Sequence, residues 1–182
     1  EITTRLVGSE MCIRDSTWGH EYIEDEVKTD GGLNISAPIS GQLIALSDVD
    51  DPIFAKEGLG KGFAIKPSDG CVYAPFDAMV RQVFTTRHAV GLVSEDGIVL
   101  LIHIGIGTVK LKGTGFVSYV IEGEHVKKGD KLIEFWDPAI KKAGLDDTVI
   151  VTVTNSHVFN DFVMKAPAGT NVQAGDDVLT LN

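Results

Sequence analysis

The chain repeats two kinds of turn, and these repeats constrain its fold more than any other feature of the sequence. One kind begins with Ala-Pro, at residues 37–41, 74–78 and 166–170. The other begins with glycine and ends in Gly-Asp, at residues 123–130 and 169–176. Proline fixes φ and removes a backbone donor, whereas glycine tolerates the positive φ that tight turns need.

The segments between these turns are short and rich in Val, Ile, Thr and Phe from Ile35 onward. This pattern predicts an all-β fold, an antiparallel β-sandwich or barrel of short hairpins with little helix. The best helix candidate is Pro138–Ala143, with Asp137 as its N-cap and Gly144 as its stop.

The first 34 residues lack this alternation and contain the acidic stretch 21–26. We therefore interpret residues 1–34 as a short helix or linker, a tail from a longer chain, and we expect a folded domain over residues 35–182. Within the tail, residues 9–16 resemble a translated sequencing adapter and are interpreted as artefactual.

Composition narrows the class of protein. An apolar content of 43% is enough to build a core, and a formal net charge of -10 argues against nucleic acid and favours a basic protein surface as partner. The two cysteines, Cys12 and Cys71, are too few for a disulfide framework or a zinc site. The low cysteine content fits a reducing cytoplasm, and the sequence predicts no membrane span and no signal peptide.

One histidine interrupts an apolar run, Leu100–Ile106, at position 103. Burying an imidazole among branched aliphatic side chains costs free energy unless a partner satisfies it. Residues 85–93 form a second such run, so the two runs around Ser94–Gly97 predict an antiparallel hairpin. A four-residue loop would put His88 opposite His103, and the two-residue loop Asp96-Gly97 would put it opposite Gly105.

Both of these registers place His88 and His103 on the same face of the hairpin, and only an odd loop would separate them. Two core histidines satisfied by backbone carbonyls would give the same pattern. Two neutral imidazoles sharing a face could also supply a nitrogen nucleophile and a hydrogen-bonding partner. Gly105 and Gly107 remove side chains beyond His103, which we expect to let a bulky group or another protein approach.

Three kinds of chemistry could use such a pair. A metal site needs a third ligand, and no His-x-His or His-Glu-x-x-His spacing is present, so we expect no metal, although a third ligand from a partner stays an alternative. A biotinyl or lipoyl carrier would need a lysine at its own hairpin tip, but Lys165 runs directly into Ala166-Pro167. The third is phosphoryl transfer through a phosphohistidine, which needs mainly positioning and charge stabilisation.

The segment 97–109, followed by Leu111 and Gly113, closely resembles the glucose-family enzyme IIA domain of the bacterial phosphoenolpyruvate-dependent sugar phosphotransferase system. The resemblance extends over about residues 35–182. It includes the shorter segments 37–41, 51–55, 62–67, 86–89 and 129–130.

This resemblance implies an antiparallel β-sandwich that takes a phosphoryl group from the phosphocarrier protein HPr and passes it to an enzyme IIB domain. It implies a phosphotransferase component with no cofactor, in which His103 is phosphorylated, His88 contacts the phosphoryl oxygens and Thr86 orients His88. The implied partner-docking residues are Phe54, Asp51, Ile104 and Gly105, with a plain core position as an equal interpretation of Phe54. Many relatives carry Asp where this chain has Gly107, a difference that concerns partner affinity.

Two functions follow from the resemblance. In the first, which the fragment alone favours, the domain is a phosphocarrier in a relay from HPr to the enzyme IIB domain of a sugar permease, free or fused to the transporter. In the second, it is a regulatory IIA-like C-terminal domain of a galactoside-type cation symporter, controlled by HPr-dependent phosphorylation of His103.

Overall fold

The computed structural model describes residues 32–182, so the predicted linker up to residue 31, including the segment 9–16, lies outside the described residues. The described part contains fourteen strands, two short α-helices and three 3-10 turns. The strands are β1 (Leu33–Ser36), β2 (Gly41–Ile44), β3 (Lys61–Pro67), β4 (Cys71–Tyr73), β5 (Ala78–Val83), β6 (Ala89–Ser94), β7 (Val99–Ile106), β8 (Phe116–Ser118), β9 (His125–Val126), β10 (Lys131–Phe135), β11 (Asp146–Val153), β12 (Phe162–Met164), β13 (Asn171–Val172) and β14 (Asp177–Leu181). The helices are α1 (Pro52–Ala55) and α2 (Asp137–Lys142), and the 3-10 turns are Leu46–Asp48, Thr108–Leu111 and Ser156–Val158.

The strands form three antiparallel sheets. The large sheet has eight strands in the order β13-β2-β3-β11-β7-β6-β5-β9. Two three-stranded sheets have the orders β1-β14-β12 and β4-β10-β8. The predicted all-β fold of short antiparallel hairpins with little helix is therefore confirmed. No helix in residues 32–182 is both long and apolar enough to cross a bilayer.

The predicted helix is present as α2, but its N-cap is Trp136 rather than Asp137. Asp137 is the first helical residue, and its carboxylate pairs with Lys141 one turn later, at 2.6 Å. The carboxylate thus interacts with a side chain of the helix instead of capping its backbone donors. Gly144, at φ 70, follows the C-cap Ala143 and ends the helix as predicted.

The repeated turns of the sequence pack against each other in two equivalent pairs. The Ala74 N–H donates to the Asp130 carbonyl (2.8 Å), and the Gly129 N–H donates back to the Ala74 carbonyl (2.8 Å). Ala37 makes the same two bonds, donating to the Asp176 carbonyl (2.7 Å) and accepting from the Gly175 N–H (2.9 Å). Each Gly-Asp repeat also contributes a two-residue edge strand, β9 or β13, to opposite ends of the large sheet.

The predicted hairpin is β6–β7, but both predicted registers are wrong. Val93 pairs with Val99 and Ala89 with His103, which leaves an odd loop of five residues, 94–98. Ser94 closes this loop, because its Oγ accepts from the Ile98 N–H (3.0 Å) and its N–H donates to the Ile98 carbonyl (3.0 Å). Ile98 is 2% exposed and belongs to the larger core. Because Ile98 must face that core, the loop has five residues.

The large sheet has an inner and an outer face, and His103 lies on the outer one. Ile102 and Ile104 on β7 are fully buried in the larger core, on the inner face. His103 points the other way and pairs across the sheet with Ala89 and Ile150. Ile150 belongs to a smaller core, formed with Leu46, Val49, Phe54 and Ala64, that α1 and the first 3-10 turn build on the outer face.

Two isoleucines test the position of the larger core. We expect Ile102→Ala, at a fully buried position on β7, to lower the free energy of unfolding by about 2–5 kcal/mol, through lost apolar burial and the cavity left behind. Ile121→Ala is the matched control: its side chain is 73% exposed and the change should cost less than about 0.5 kcal/mol. Urea titration of both variants measures the difference, and equal costs would contradict the placement of the core.

Candidate functional site

Residues from two strands and one helix surround His103. Its imidazole lies 4.8 Å from that of His88, centroid to centroid, with the rings nearly perpendicular at 84°. The ring of Phe54, on α1, lies 5.1 Å from it on another side. The structure thus brings together the two histidines that the sequence singled out, and His103 keeps part of its side chain exposed.

The contact between the histidines arises at the end of β6 rather than within it. His88 precedes the first residue of β6 and follows Arg87, which has a φ of 56°. Its carbonyl accepts from the Ile104 N–H (2.7 Å), so His88 lies across from the neighbour of His103. Because the backbone turns at Arg87, the alternation of side chains inside the strand does not extend to His88, and its ring meets His103 despite the odd loop.

Thr86 holds the second imidazole. Its Oγ1 lies 2.5 Å from Nδ1 of His88, a hydrogen-bond distance, and the ring of Phe84 contacts His88 edge-on at 5.6 Å. His88 is only 6% exposed. Thr86 therefore occupies Nδ1 and leaves Nε2 as the nitrogen of His88 that can bind a further group.

His103 also offers only one accessible nitrogen. Its Nδ1 is buried and makes no hydrogen bond of good geometry, although the backbone of Gly105 is close enough to favour the protonated ring. Since the side chain is partly exposed while Nδ1 is not, Nε2 is the nitrogen that a reacting group can reach. The two imidazoles thus present a pair of Nε2 atoms on one face.

Burial keeps both rings neutral. It lowers the pKa of His88 to about 4. For His103, burial first and the neighbouring His88 second lower the pKa to about 3, with the Gly105 backbone acting in the opposite direction. At neutral pH both rings therefore carry a free nitrogen lone pair, which is the form that acts as a nucleophile or accepts a hydrogen bond.

Three of the four predicted docking residues are buried in the chain itself. Phe54 is 5% exposed and belongs to the smaller core, Ile104 is fully buried, and Gly105 is buried at the end of β7. Asp51 is the N-cap of α1, where its Oδ1 accepts from the Ile53 N–H at 2.8 Å. Packing and capping account for all four positions, and their role in docking stays a prediction.

Two exposed apolar side chains, on α1 and in the turn after β7, were missed by sequence reasoning. Ile53 on α1 is 43% exposed, next to the buried Phe54. Val109, in the 3-10 turn that follows β7, is 51% exposed. The sequence offered one signal, since Ile53 is next to Phe54 and Val109 is two residues from Gly107. It could not show their exposure, because neighbouring residues in a short helix or turn point to different sides.

Gly105 is required by the packing of the chain itself. At φ 74, a Cβ there would collide with Thr108 Cγ2 and lie 2.6 Å from the Asp146 carbonyl oxygen. The missing side chain is therefore needed for the chain's own packing, and its role in the approach of a partner stays a prediction. Gly107 is more open, since a Cβ would meet Leu145 Cδ2 at 3.5 Å.

Among residues 32–182, no group of three or more His, Cys, Asp or Glu side chains is placed to hold a metal ion. The candidate site is thus a pair of neutral imidazoles on the outer face of an antiparallel β-sandwich, a class of site suited to carrying a group on nitrogen.

Comparison with known proteins identifies the family. Residues 33–159 match the model of the phosphoenolpyruvate-dependent sugar phosphotransferase system EIIA 1 family. The glucose permease IIA from Mycoplasma capricolum has a similar structure, with a TM-score of 0.72 and 33% identity, covering 84% of this chain and 97% of that one. The chain belongs to the EIIA 1 family of the sugar phosphotransferase system.

Two curated relatives are sugar carriers. The raffinose carrier protein of Pediococcus pentosaceus is 61% identical over 162 residues, which cover 89% of this chain and 25% of that protein. The lactose permease of Lactobacillus delbrueckii subsp. bulgaricus is 52% identical over 174 residues, 89% of this chain and 28% of that protein. The chain therefore spans about a quarter of the length of these relatives.

The lowered pKa values of the two rings predict a loss of stability in mild acid. A histidine with a folded-state pKa below 6.5 binds fewer protons folded than unfolded, so the free energy of unfolding falls as pH drops from 6.5 towards 4. At pH 4.5 each ring lowers the free energy of unfolding by at most about 2–3 kcal/mol. Urea titrations from pH 7.5 to 4.5 should show a steeper fall for the wild type than for His88→Gln/His103→Gln. Parallel profiles would contradict the burial of neutral rings.

The two glycines after His103 should differ in their tolerance of alanine. Gly105→Ala should lower the free energy of unfolding by at least about 3 kcal/mol, since strain at positive φ is added to a backbone clash. Gly107 also has a positive φ, but a Cβ there meets no backbone clash. We expect Gly107→Ala to lower the free energy of unfolding by about 1–2 kcal/mol. Thermal and urea unfolding measure both, and the reverse order would show that the loop is placed differently.

Proposed function

We propose that this chain is the regulatory IIA-like domain of a galactoside-type cation symporter, controlled by phosphorylation of His103 by HPr. The observation that carries the proposal is the match, over 89% of this chain, to about a quarter of two much longer sugar carriers. In such a protein the domain would transmit the phosphorylation state of HPr to transport, and no enzyme IIB acceptor would be required.

The site chemistry supports His103 as the phosphoryl acceptor. Its accessible Nε2 carries a free lone pair at neutral pH, because burial holds the pKa of the ring at about 3. In the transfer, that lone pair forms the bond to phosphorus while the bond from phosphorus to the donor nitrogen breaks and the donor keeps the electron pair. A loose transition state of this kind needs alignment and charge stabilisation more than acid–base chemistry.

His88 and Thr86 serve as the second imidazole and its positioning residue. With Nδ1 engaged by Thr86 at 2.5 Å, His88 directs Nε2 towards the neighbouring ring, 4.8 Å away between centroids. When Nδ1 accepts from the Thr86 hydroxyl, Nε2–H of His88 can donate to a phosphoryl oxygen on His103. This bond matters most when the phosphoryl group moves on, because it fixes the direction in which phosphorus is presented.

The surroundings of His103 suit docking of another protein. The exposed apolar residues Ile53 and Val109 come from α1 and from the turn after β7. The net charge of -10 favours association with a donor whose active face is basic. We therefore assign HPr as the partner that meets this face.

A second candidate is the phosphoryl relay, in which His103 passes the group to the enzyme IIB domain of a sugar permease. The structural similarity to a glucose permease IIA, at a TM-score of 0.72, favours it. Purified enzyme IIB domain distinguishes the two functions: phosphoryl loss from His103 to a IIB cysteine indicates the relay. Stable phosphorylation in the presence of IIB, together with coding sequence for symporter helices upstream of Glu1, indicates the regulator.

Phosphorylation by phosphoenolpyruvate, enzyme I and HPr tests the proposal. The wild type should gain one acid-labile phosphoryl group in intact-mass analysis, and His103→Ala should gain none, because the attacking nitrogen is lost. His88→Ala should still accept the group at a rate reduced by about tenfold or less, and be impaired in onward or reverse transfer.

His157→Ala is the matched control for these variants, since His157 is exposed and lies in the 3-10 turn after β11. It should behave as the wild type does. A folded wild-type domain that accepts no phosphoryl group would remove His103 from this role, and complete loss in both His88→Ala and His103→Ala would contradict the separate roles of the two rings.

A further inference from the structure

Lys110 lies in the turn that directly follows the strand of His103. The 3-10 turn Thr108–Leu111 starts after Gly107, whose backbone is left-handed at φ 70. Thr108 Oγ1 donates to the Ile104 carbonyl (2.5 Å), and the Lys110 N–H donates to the Gly107 carbonyl (3.1 Å). These bonds fold the turn back against Ile104, the residue next to His103.

The side chain of Lys110 lies over Gly107. A Cβ built on Gly107 would lie 3.8 Å from Nζ and 3.9 Å from Cε of Lys110. A Cβ at position 107 would therefore only touch the end of the Lys110 side chain, at the rim of the loop.

This ammonium has no carboxylate partner among residues 32–182. The ion pairs of this part of the chain use Lys127, Lys128, Lys131, Lys141 and Lys165, and all of them lie on other elements. In a chain with ten more acidic than basic side chains, a lysine without an ion pair in the turn that follows the strand of His103 is available for another anion.

The same loop also lies against the residues that hold the second imidazole. Gly113, three residues after Lys110, is close enough to Thr86 that a Cβ there would lie 3.6 Å from the Thr86 carbonyl oxygen. Residues 107–113 therefore form one wall of the site, between the end of β7 and the turn that carries Thr86 and His88. Lys110 is a cation of that wall.

We propose that Lys110 binds the phosphoryl group on His103 and so lengthens the lifetime of the phosphohistidine. The inference rests on the proposed phosphorylation of His103. A phosphoryl group on Nε2 carries two negative charges on its oxygens, and a nearby ammonium stabilises them. In hydrolysis a water oxygen bonds to phosphorus, the N–P bond breaks, the electron pair returns to Nε2 and inorganic phosphate leaves. Because the ammonium binds the dianion of the phosphohistidine more strongly than the transition state, in which the departing group approaches a singly charged metaphosphate, it slows this step.

The test measures hydrolysis of phosphorylated His103 in the wild type, Lys110→Met, Lys110→Arg and Lys142→Met. Lys142→Met is the matched control: it makes the same charge change at an exposed position at the end of α2. Each protein is phosphorylated with phosphoramidate, whose N–P bond breaks to release ammonia. Decay of the phosphorylated species at pH 7 is followed by intact mass, and 31P NMR gives the pKa of the phosphoryl group.

Lys110→Met should hydrolyse about fivefold faster than the wild type, and the pKa of its phosphoryl group should be higher by about half a unit. Lys110→Arg should restore most of the lifetime, and Lys142→Met should match the wild type. Equal hydrolysis rates in Lys110→Met and Lys142→Met would overturn the inference, as would an unchanged phosphoryl pKa.

Phosphorylation by HPr and by phosphoramidate tests the proposed function and this inference separately. If HPr fails to phosphorylate the wild type while phosphoramidate modifies His103, the role proposed for HPr is wrong and the comparison of lysine variants still decides the role of Lys110. If neither donor modifies a folded wild type, no phosphohistidine forms and both proposals are overturned.

Discussion

The contact between two neutral imidazoles, His88 buried and His103 partly exposed, is the constraint on which the functional site of this structure depends. An unprotonated ring can be buried at modest cost, whereas two imidazolium ions at this separation would repel each other in a poorly solvated environment. Burial lowers the pKa of both His88 and His103, Thr86 engages one ring and Phe54 packs against the other. Because burial keeps both rings unprotonated at neutral pH, Nε2 of His103 keeps its lone pair for chemistry.

The histidine pair lies on the outer face of a sheet whose two edge strands come from the repeated turns. Ala37 and Ala74 each exchange two backbone hydrogen bonds with a Gly-Asp turn, and the two turns supply the edge strands β13 and β9. Edges of two residues leave little unpaired backbone for association with other chains. The larger core then fills the inner face, so that α1 and the loop after β7 are left to shape the surroundings of His103.

The histidine pair itself does not separate a relay from a regulator, since both use the same nucleophile. The differences lie in what surrounds it and in what the domain is joined to. Two of its curated relatives are sugar carriers about four times the length of the region they share with it. The wall formed by residues 107–113 carries Lys110 over Gly107, and we propose that this ammonium binds a phosphoryl group on His103.

The sequence by itself determined the class of fold and the two histidines. Proline, glycine and β-branched residues act locally, so the turns at Ala37 and Ala74, the β6–β7 hairpin and the end of α2 at Gly144 could be predicted. Tertiary structure decided the register and the roles of individual side chains. Burial of Ile98 made the loop odd, the turn at Arg87 still brought His88 to His103, and contacts with Thr108 and Asp146 required Gly105. These features depend on contacts between residues that are distant in the chain, and a local sequence pattern does not show such contacts.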